Sequence, residues 1–141
     1  MSYSLVIDAL AKRGNFCDAL ETEHELIRLL LKTLNRALAT GADQPSIVFL
    51  IDTLDEECRS HFINEERYLI ESGATDIASH VLSHRHLTER TVQVLSSIVA
   101  KDPSGILDAV DLLHCIQDHI AHVDQPAYTR LEPVHDLAIV A

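Results

Sequence analysis

Helix breakers are scarce in this chain, and they fall in few places. Its 141 residues include only four Gly and four Pro. They stand at Gly14, Gly41 with Pro45, Gly73, Pro103 with Gly105, Pro126 and Pro133. Because Gly and Pro interrupt regular elements, four unbroken stretches remain, roughly 15–40, 46–72, 74–101 and 104–125. Each carries apolar residues at three- and four-residue steps, the helical period. The first has Leu20, Ile27, Leu31, Leu34 and Leu38, and the second Ile47, Leu50, Leu54 and Leu69, with Cys58 and Phe62 between. The third has Ile77, Leu87, Val94, Leu95 and Ile98, and the fourth Ile106, Val110, Leu113, Ile116 and Ile120. Asn15 and Thr75 suit N-caps, while Gly41 and Gly73 suit the left-handed residue just past a helix end. Connections this short make sequential helices antiparallel. The expected fold is all-α, an antiparallel up-down-up-down four-helix bundle with an N-terminal arm (1–14) and a Pro-broken C-terminal tail (126–141). Residues 1–141 read as a single domain with a bundle core at about 15–125.

Aromatics are 4% and Trp is absent, which suits a helical bundle better than a β-sandwich, but histidine occurs nine times. Nine is more than packing needs, so the levels of these residues matter. In an antiparallel pair, residues equally far from the connection sit at equal height. His24 lies 16 residues before position 40, and His61 lies 15 after position 46. His61 and His84 lie 11 and 10 residues from the ends of the next connection, and Glu65 and His80 lie 7 and 6 from them. His84 lies 17 residues before position 101, and His119 lies 15 after position 104. At ~1.5 Å per residue these mismatches amount to a few ångströms. All four helices therefore bring histidine to one layer.

Spacing within helices agrees. His61 with Glu65, and His80 with His84, are i, i+4 pairs and share a face. Those faces also carry the apolar residues, so the pairs point inward. Buried imidazoles and a carboxylate cannot stay unpaired cheaply, and metal coordination satisfies them together. The fourth helix stays open on spacing alone, because it holds His114, Asp118, His119, His122 and Asp124. An i, i+4 rule selects His114 with Asp118, or Asp118 with His122, whereas height prefers His119. Asp124 precedes Gln125-Pro126, where the helix is expected to end, so its side chain can turn back toward the same centre.

The ordered set His24, His61-Phe-Ile-Asn-Glu65, His80-Val-Leu-Ser-His84 and His119-Ile-Ala-His-Val-Asp124 resembles the hemerythrin-like family, in particular its prokaryotic single-domain members. The match runs from about residue 15 to 128. The resemblance implies a non-haem di-iron centre, with His80, His84 and His119 on one iron and His24 and His61 on the other. Glu65 and Asp124 would bridge, and the fourth helix would be resolved in favour of His119. Two octahedral irons offer about 12 positions. Five imidazoles, two bridging carboxylates and a bridging oxo or hydroxo group leave one open, on the iron with two histidines. Reversible dioxygen binding is the activity implied, for storage, delivery or sensing. A di-iron redox enzyme (a peroxidase, or one handling nitric oxide) and an iron-donating repair protein are the alternatives. Ferritin-type carboxylate sites use paired Glu-x-x-His motifs, and only Glu21 to His24 has that form here, so the chain reads as a binding protein rather than an enzyme.

Around the seven candidates, Ile27, Ile116 and Ile120 read as core and as walls of a dioxygen pocket. Cys58 and Cys115 lie three and four residues before His61 and His119. Burial is the default for both, and Cys115 is the candidate for a supporting role beside the metal, where family members often carry an aromatic residue. Glu23, Glu25, Glu57 and Asp118 adjoin the candidates and can accept the outer ring N–H of a coordinated histidine. A solvated acidic face is the plainer reading for most of them. His86, His114, His122 and His135 read as surface or structural residues.

Charge and cysteine usage bound the partners. Lys and Arg total 11 against 22 Asp and Glu, a net charge of −11, and no basic cluster stands against it. Nucleic acid and anionic membrane surfaces are thereby poor partners. No apolar run approaches the ~18 residues of a membrane span. The N-terminal residues lack a basic, then apolar, leader pattern, and three cysteines without paired spacing imply no disulfide framework. The expectation is a cytoplasmic protein, a monomer or small homo-oligomer, with dioxygen as its ligand. Leu137–Ala141 is an apolar end that either docks on the bundle or meets a protein partner.

Overall fold

A computed structural model describes residues 16–131. Four α-helices follow in order: α1 (Phe16–Ala39), α2 (Gln44–Glu71), α3 (Ile77–Val99) and α4 (Gly105–His119). Each packs against the next, and α4 returns to α1, so the expected antiparallel four-helix bundle is the fold observed. Asn15, the N-terminal arm, His135 and the Leu137–Ala141 end lie outside the described residues.

The helix ends follow local chemistry. Past α1, Gly41 (φ 69°) lets the Ala42 N–H reach the Ala37 carbonyl at 3.0 Å. Gly73 (φ 76°) does the same for Ala74 and Leu69 past α2. These are left-handed closures that glycine adopts without strain. The α2 helix begins earlier than position 46, because the Asp43 carboxylate caps the Ser46 N–H at 2.9 Å and Pro45 fits the first turn. Thr75 is not the N-cap of α3. That place falls to Asp76, because Gly73 and Ala74 are spent closing α2 and the chain needs the next residues to reverse.

Past α3 the same closure is built on a side-chain-bearing residue. Lys101 sits at φ 60°, and the Asp102 N–H reaches the Ser97 carbonyl at 2.9 Å. A left-handed conformation costs an L-residue roughly 1–2 kcal/mol, part of which glycine forfeits in the unfolded chain. Lys101→Gly is therefore expected to raise unfolding stability by about 0.5–1 kcal/mol, read as a higher urea midpoint at unchanged slope.

The last helix does not stop at Pro126. After α4 comes a π-helical turn, Ile120–Asp124, in which the Gln125 N–H bonds the Ile120 carbonyl, and helix then continues over 125–131. Proline removes a donor and crowds the carbonyl four residues back. Here it follows the widened turn, where the ladder changes register, and the helix passes it. What reads as a tail from position 126 is thus helical as far as 131.

Two cores result. The larger includes Ile27, Leu31, Leu34, Ile51, Leu54, Phe62, Leu112 and Ile120. The smaller joins Ala19, Leu20, Leu69, Ala127 and Tyr128. On every helix the candidate polar residues lie where the larger core gives way to the smaller, so a polar layer lies between two dry ones. Ile106, counted above with the apolar face of the fourth helix, is instead exposed.

Candidate metal centre

The antiparallel levels bring all seven candidates into that layer. His24 comes from α1, His61 and Glu65 from α2, His80 and His84 from α3, His119 from the end of α4, and Asp124 from the π-turn. All seven are buried, and His24, Glu65 and Asp124 are 0% exposed. The π-turn places the last of these. Five residues on an α-helix turn a side chain roughly 140° away, whereas a wider π-turn returns it near the starting face.

The donor atoms form two groups that share their carboxylates. Glu65, His80, His84, His119 and Asp124 make one, and His24, His61, Glu65 and Asp124 the other, with the atoms of each lying within 4.8 Å of one another. Glu65 Oε1 lies 2.5 Å from His80 Nε2 and 3.0 Å from His84 Nε2, while its Oε2 lies 3.1 Å from His61 Nε2 and 3.7 Å from His24 Nε2. Asp124 repeats the pattern. Its Oδ1 lies 2.9 Å from both His80 and His119 Nε2, and its Oδ2 lies 3.0 Å from His24 Nε2 and 3.7 Å from His61 Nε2. Each carboxylate thus turns one oxygen to two of the histidines His80, His84 and His119 and the other to the pair His24 and His61.

These contacts are not an ordinary hydrogen-bond network. His84 Nε2 and His119 Nε2 lie near carboxylate oxygens, yet neither has a hydrogen-bond partner of acceptable geometry, and His24 Nδ1 also lacks one. Buried polar atoms left unmatched cost about 1–3 kcal/mol each. His24 Nε2 and His61 Nε2 approach to 2.9 Å, converging as two lone pairs do on a shared cation. The residues fit a metal site, since five imidazoles and two carboxylates exceed the four ligands zinc prefers and suit six-coordinate ions of the iron type.

Outer partners fix the rings. His61 Nδ1–H donates to Glu23 at 2.9 Å, and the Asn64 amide holds the other Glu23 oxygen at 2.8 Å. His84 Nδ1–H donates to half-exposed Glu66 at 3.1 Å. Such bonds turn the Nε2 lone pair inward and make it more basic. Phe62 stacks on His84 with ring centres 4.0 Å apart. The Tyr128 hydroxyl donates to Glu65, and its ring stacks on His24 at 5.6 Å. Truncating Glu23 to Ala should lower affinity for a cation on the His24–His61 side by about 10–100-fold. Chelator competition measures it, and an unchanged affinity would show that the bond does not orient the ring.

Of the acidic neighbours, Glu23 takes the outer role, Glu25 and Asp118 are exposed, and Glu57 is half-buried. Asn64, Glu66 and Tyr128 escaped the sequence reading. Asn64 and Glu66 flank Glu65, and Tyr128 lay in the stretch read as tail. His86, His114 and His122 are exposed, as expected. Ile27, Ile116 and Ile120 are buried in the larger core. Burial pushes the Cys58 thiol up to about 12, which leaves it inert. Cys115 is half-buried.

The electrostatics are those of opposite charges held together in a dry place. Burial alone would lower the histidines. The carboxylates of Asp124 and Glu65 override it, raising His80 to about 9, and His24 and His61 above their ordinary value. Burial alone would raise the carboxyls, but the surrounding imidazoles hold Glu65 and Asp124 below the usual range. Bound cations would take over from these protons.

A four-helix bundle whose central layer converges five imidazoles on two shared carboxylates defines a class, the helical-bundle metal proteins with a buried histidine-rich centre. The comparisons narrow it. The sequence profile of the Hemerythrin HHE cation binding domain matches residues 15–131, and the chain belongs to that family. Searches of curated proteins and of solved structures found no match.

Proposed function

We propose that the centre holds two iron ions and binds dioxygen reversibly. The observation that carries this reading is the split of each carboxylate, one oxygen toward two of His80, His84 and His119 and the other toward His24 and His61. A single cation does not use two such sets. In this reading His80, His84 and His119 would hold one iron and His24 and His61 the other, with Glu65 and Asp124 serving both. Such an iron pair supplies one electron from each ferrous ion to a small diatomic ligand.

The chain's own residues supply the rest. Glu23 and Glu66 hold the His61 and His84 rings in register. Ile27, Ile116 and Ile120 form the dry wall on the side of the larger core, which keeps water and protons from the ligand. Histidine-rich ligation with one exchangeable position favours holding dioxygen over spending it on oxidation. Cys115→Ser is expected to leave the iron content unchanged while altering the lifetime of the oxygenated form. No described helix is long and apolar enough to cross a membrane.

The test is anaerobic loading with ferrous iron, a metal count, and visible spectra before air, after air and after renewed deoxygenation. Two irons per chain, with a charge-transfer band that appears in air and fades on deoxygenation, is the expected result. Immediate irreversible oxidation would move the reading to a redox enzyme. Failure to hold two irons would overturn the site assignment.

A further inference from the structure

The centre is buried, with His24, Glu65 and Asp124 0% exposed and His61, His80, His84 and His119 at 1–7%, so a bulky reductant in solution has little of it to touch. One continuous line of redox-capable side chains nevertheless runs outward. The Tyr128 ring stacks on His24, nearly parallel at 8° with ring centres 5.6 Å apart, and its hydroxyl donates to Glu65. Tyr68 meets Tyr128 edge-on at 6.0 Å. The Cys17 thiol donates to the Tyr68 hydroxyl at 2.7 Å. Cys17 is half-buried near the start of α1, whereas Cys58 is buried in the larger core. Tyr128 belongs to the smaller core and Tyr68 packs against it, so the line runs through packed side chains. Two phenols and a thiol in contact, ending on a candidate ligand, are side chains of kinds that can pass electrons one at a time.

We propose that Tyr128, Tyr68 and Cys17 form a relay through which a low-molecular-weight thiol re-reduces the iron pair after it has lost its electrons. The inference rests on the iron reading above. In the first step Tyr128 gives an electron to the centre and lends its hydroxyl proton to Glu65. Tyr68 refills Tyr128, whose proton returns, and Tyr68 releases its own proton to solvent. The Cys17 S–H bond then breaks, and its hydrogen atom restores the Tyr68 hydroxyl. The sulfur radical joins an external thiolate, forming an S–S bond, and the extra electron of that adduct follows the same path. In total, two ferric ions become ferrous, Cys17 and the external thiol become a mixed disulfide, and two protons are released.

The experiment uses the iron-loaded chain, air-oxidised, then mixed anaerobically with glutathione. Ferrous iron is followed in time, and cysteine adducts are mapped by mass spectrometry. In the wild-type chain, a glutathione adduct on Cys17 should grow in step with ferrous iron, and none should form in the metal-free chain. Cys17→Ser and Tyr68→Phe should slow reduction by at least about tenfold, at unchanged iron content and helical circular dichroism. Wild-type rates in both variants, an adduct on Cys115 instead, or an equal adduct without metal would each overturn the relay. Iron is counted first. Fewer than two irons defeats the iron reading and the relay together, whereas two irons with unchanged rates defeats the relay alone.

Discussion

Glu65→Ala is expected to empty the centre of both cations, not one. Its two oxygens face different histidine groups, at 2.5 Å from His80 and 3.1 Å from His61, so its removal takes an anionic donor from each. Losing an outer partner of a metal-bound histidine costs about 10–100-fold in affinity. Losing a donor shared by both sites should cost more than that upper figure at each. Glu66→Ala is the matched control one residue away, where only the outer nitrogen of His84 loses its partner. It should keep both metals with weakened affinity.

The substitution also disturbs the metal-free chain, because Tyr128 and His80 lose a buried acceptor and His24, His61 and His84 lose a buried anionic neighbour. Breaking a buried ion pair from one side costs about 3–5 kcal/mol. Glu65→Gln, which keeps the shape and one acceptor oxygen, therefore accompanies it. Metal counts after dialysis on both variants, with circular dichroism to establish folding, decide the matter. One metal retained at full affinity in folded Glu65→Gln would show that the carboxylate serves a single site.

How much of this was legible from the sequence depends on which period governs each segment. His61 with Glu65 and His80 with His84 repeat at four residues, which an α-helix stacks on one face, and the short connections set their heights. Those four inward positions, and His24 as a fifth, follow from spacing and levels alone. The fourth helix was different. The His119-to-Asp124 interval is five residues, off-phase for an α-helix, and family resemblance rather than periodicity selected the pair. The structure supplies the missing physics as the π-turn Ile120–Asp124. That interval was itself the signal, since two inward residues five apart require a widened turn. The same turn explains why Pro126 failed as a stop and why Tyr128, past it, faces Glu65 and His24. Helix ends were blurred wherever a cap competed, as Asp76 did with Thr75. Outer partners such as Asn64 and Glu66 carry no periodic mark, because any polar residue beside a buried one fits the pattern.

The metal-free protein should lose stability as pH rises from about 6.5 to 9 and gain it back when metal is added. His80 is raised from its ordinary 6.5 to about 9, and His24 and His61 are raised too, with burial opposing and the Asp124 and Glu65 carboxylates prevailing. A group raised on folding stabilises fully below its unfolded value, and that contribution disappears as pH passes the folded one. The carboxyls run the other way. Lowered from 4.5 and 3.8 by their imidazole neighbours against burial, they stabilise above those values and cease to as pH falls beneath them. The metal-free optimum therefore lies at about pH 5–6.5, with a falling limb of at most about 1.4 kcal/mol per pH unit for each histidine. Cations compete with these same protons, so metal affinity climbs over that limb, and ligand binding stabilises in proportion to the logarithm of its excess over Kd. The melting-temperature gap between loaded and metal-free chain should thus widen steadily between pH 6 and 9. A metal-free melting temperature that stays flat or rises across that range would mean that protons do not occupy the centre in the absence of metal. Asp124→Asn, which removes one of the two carboxylates raising His80 and His24, should flatten the limb for the same reason.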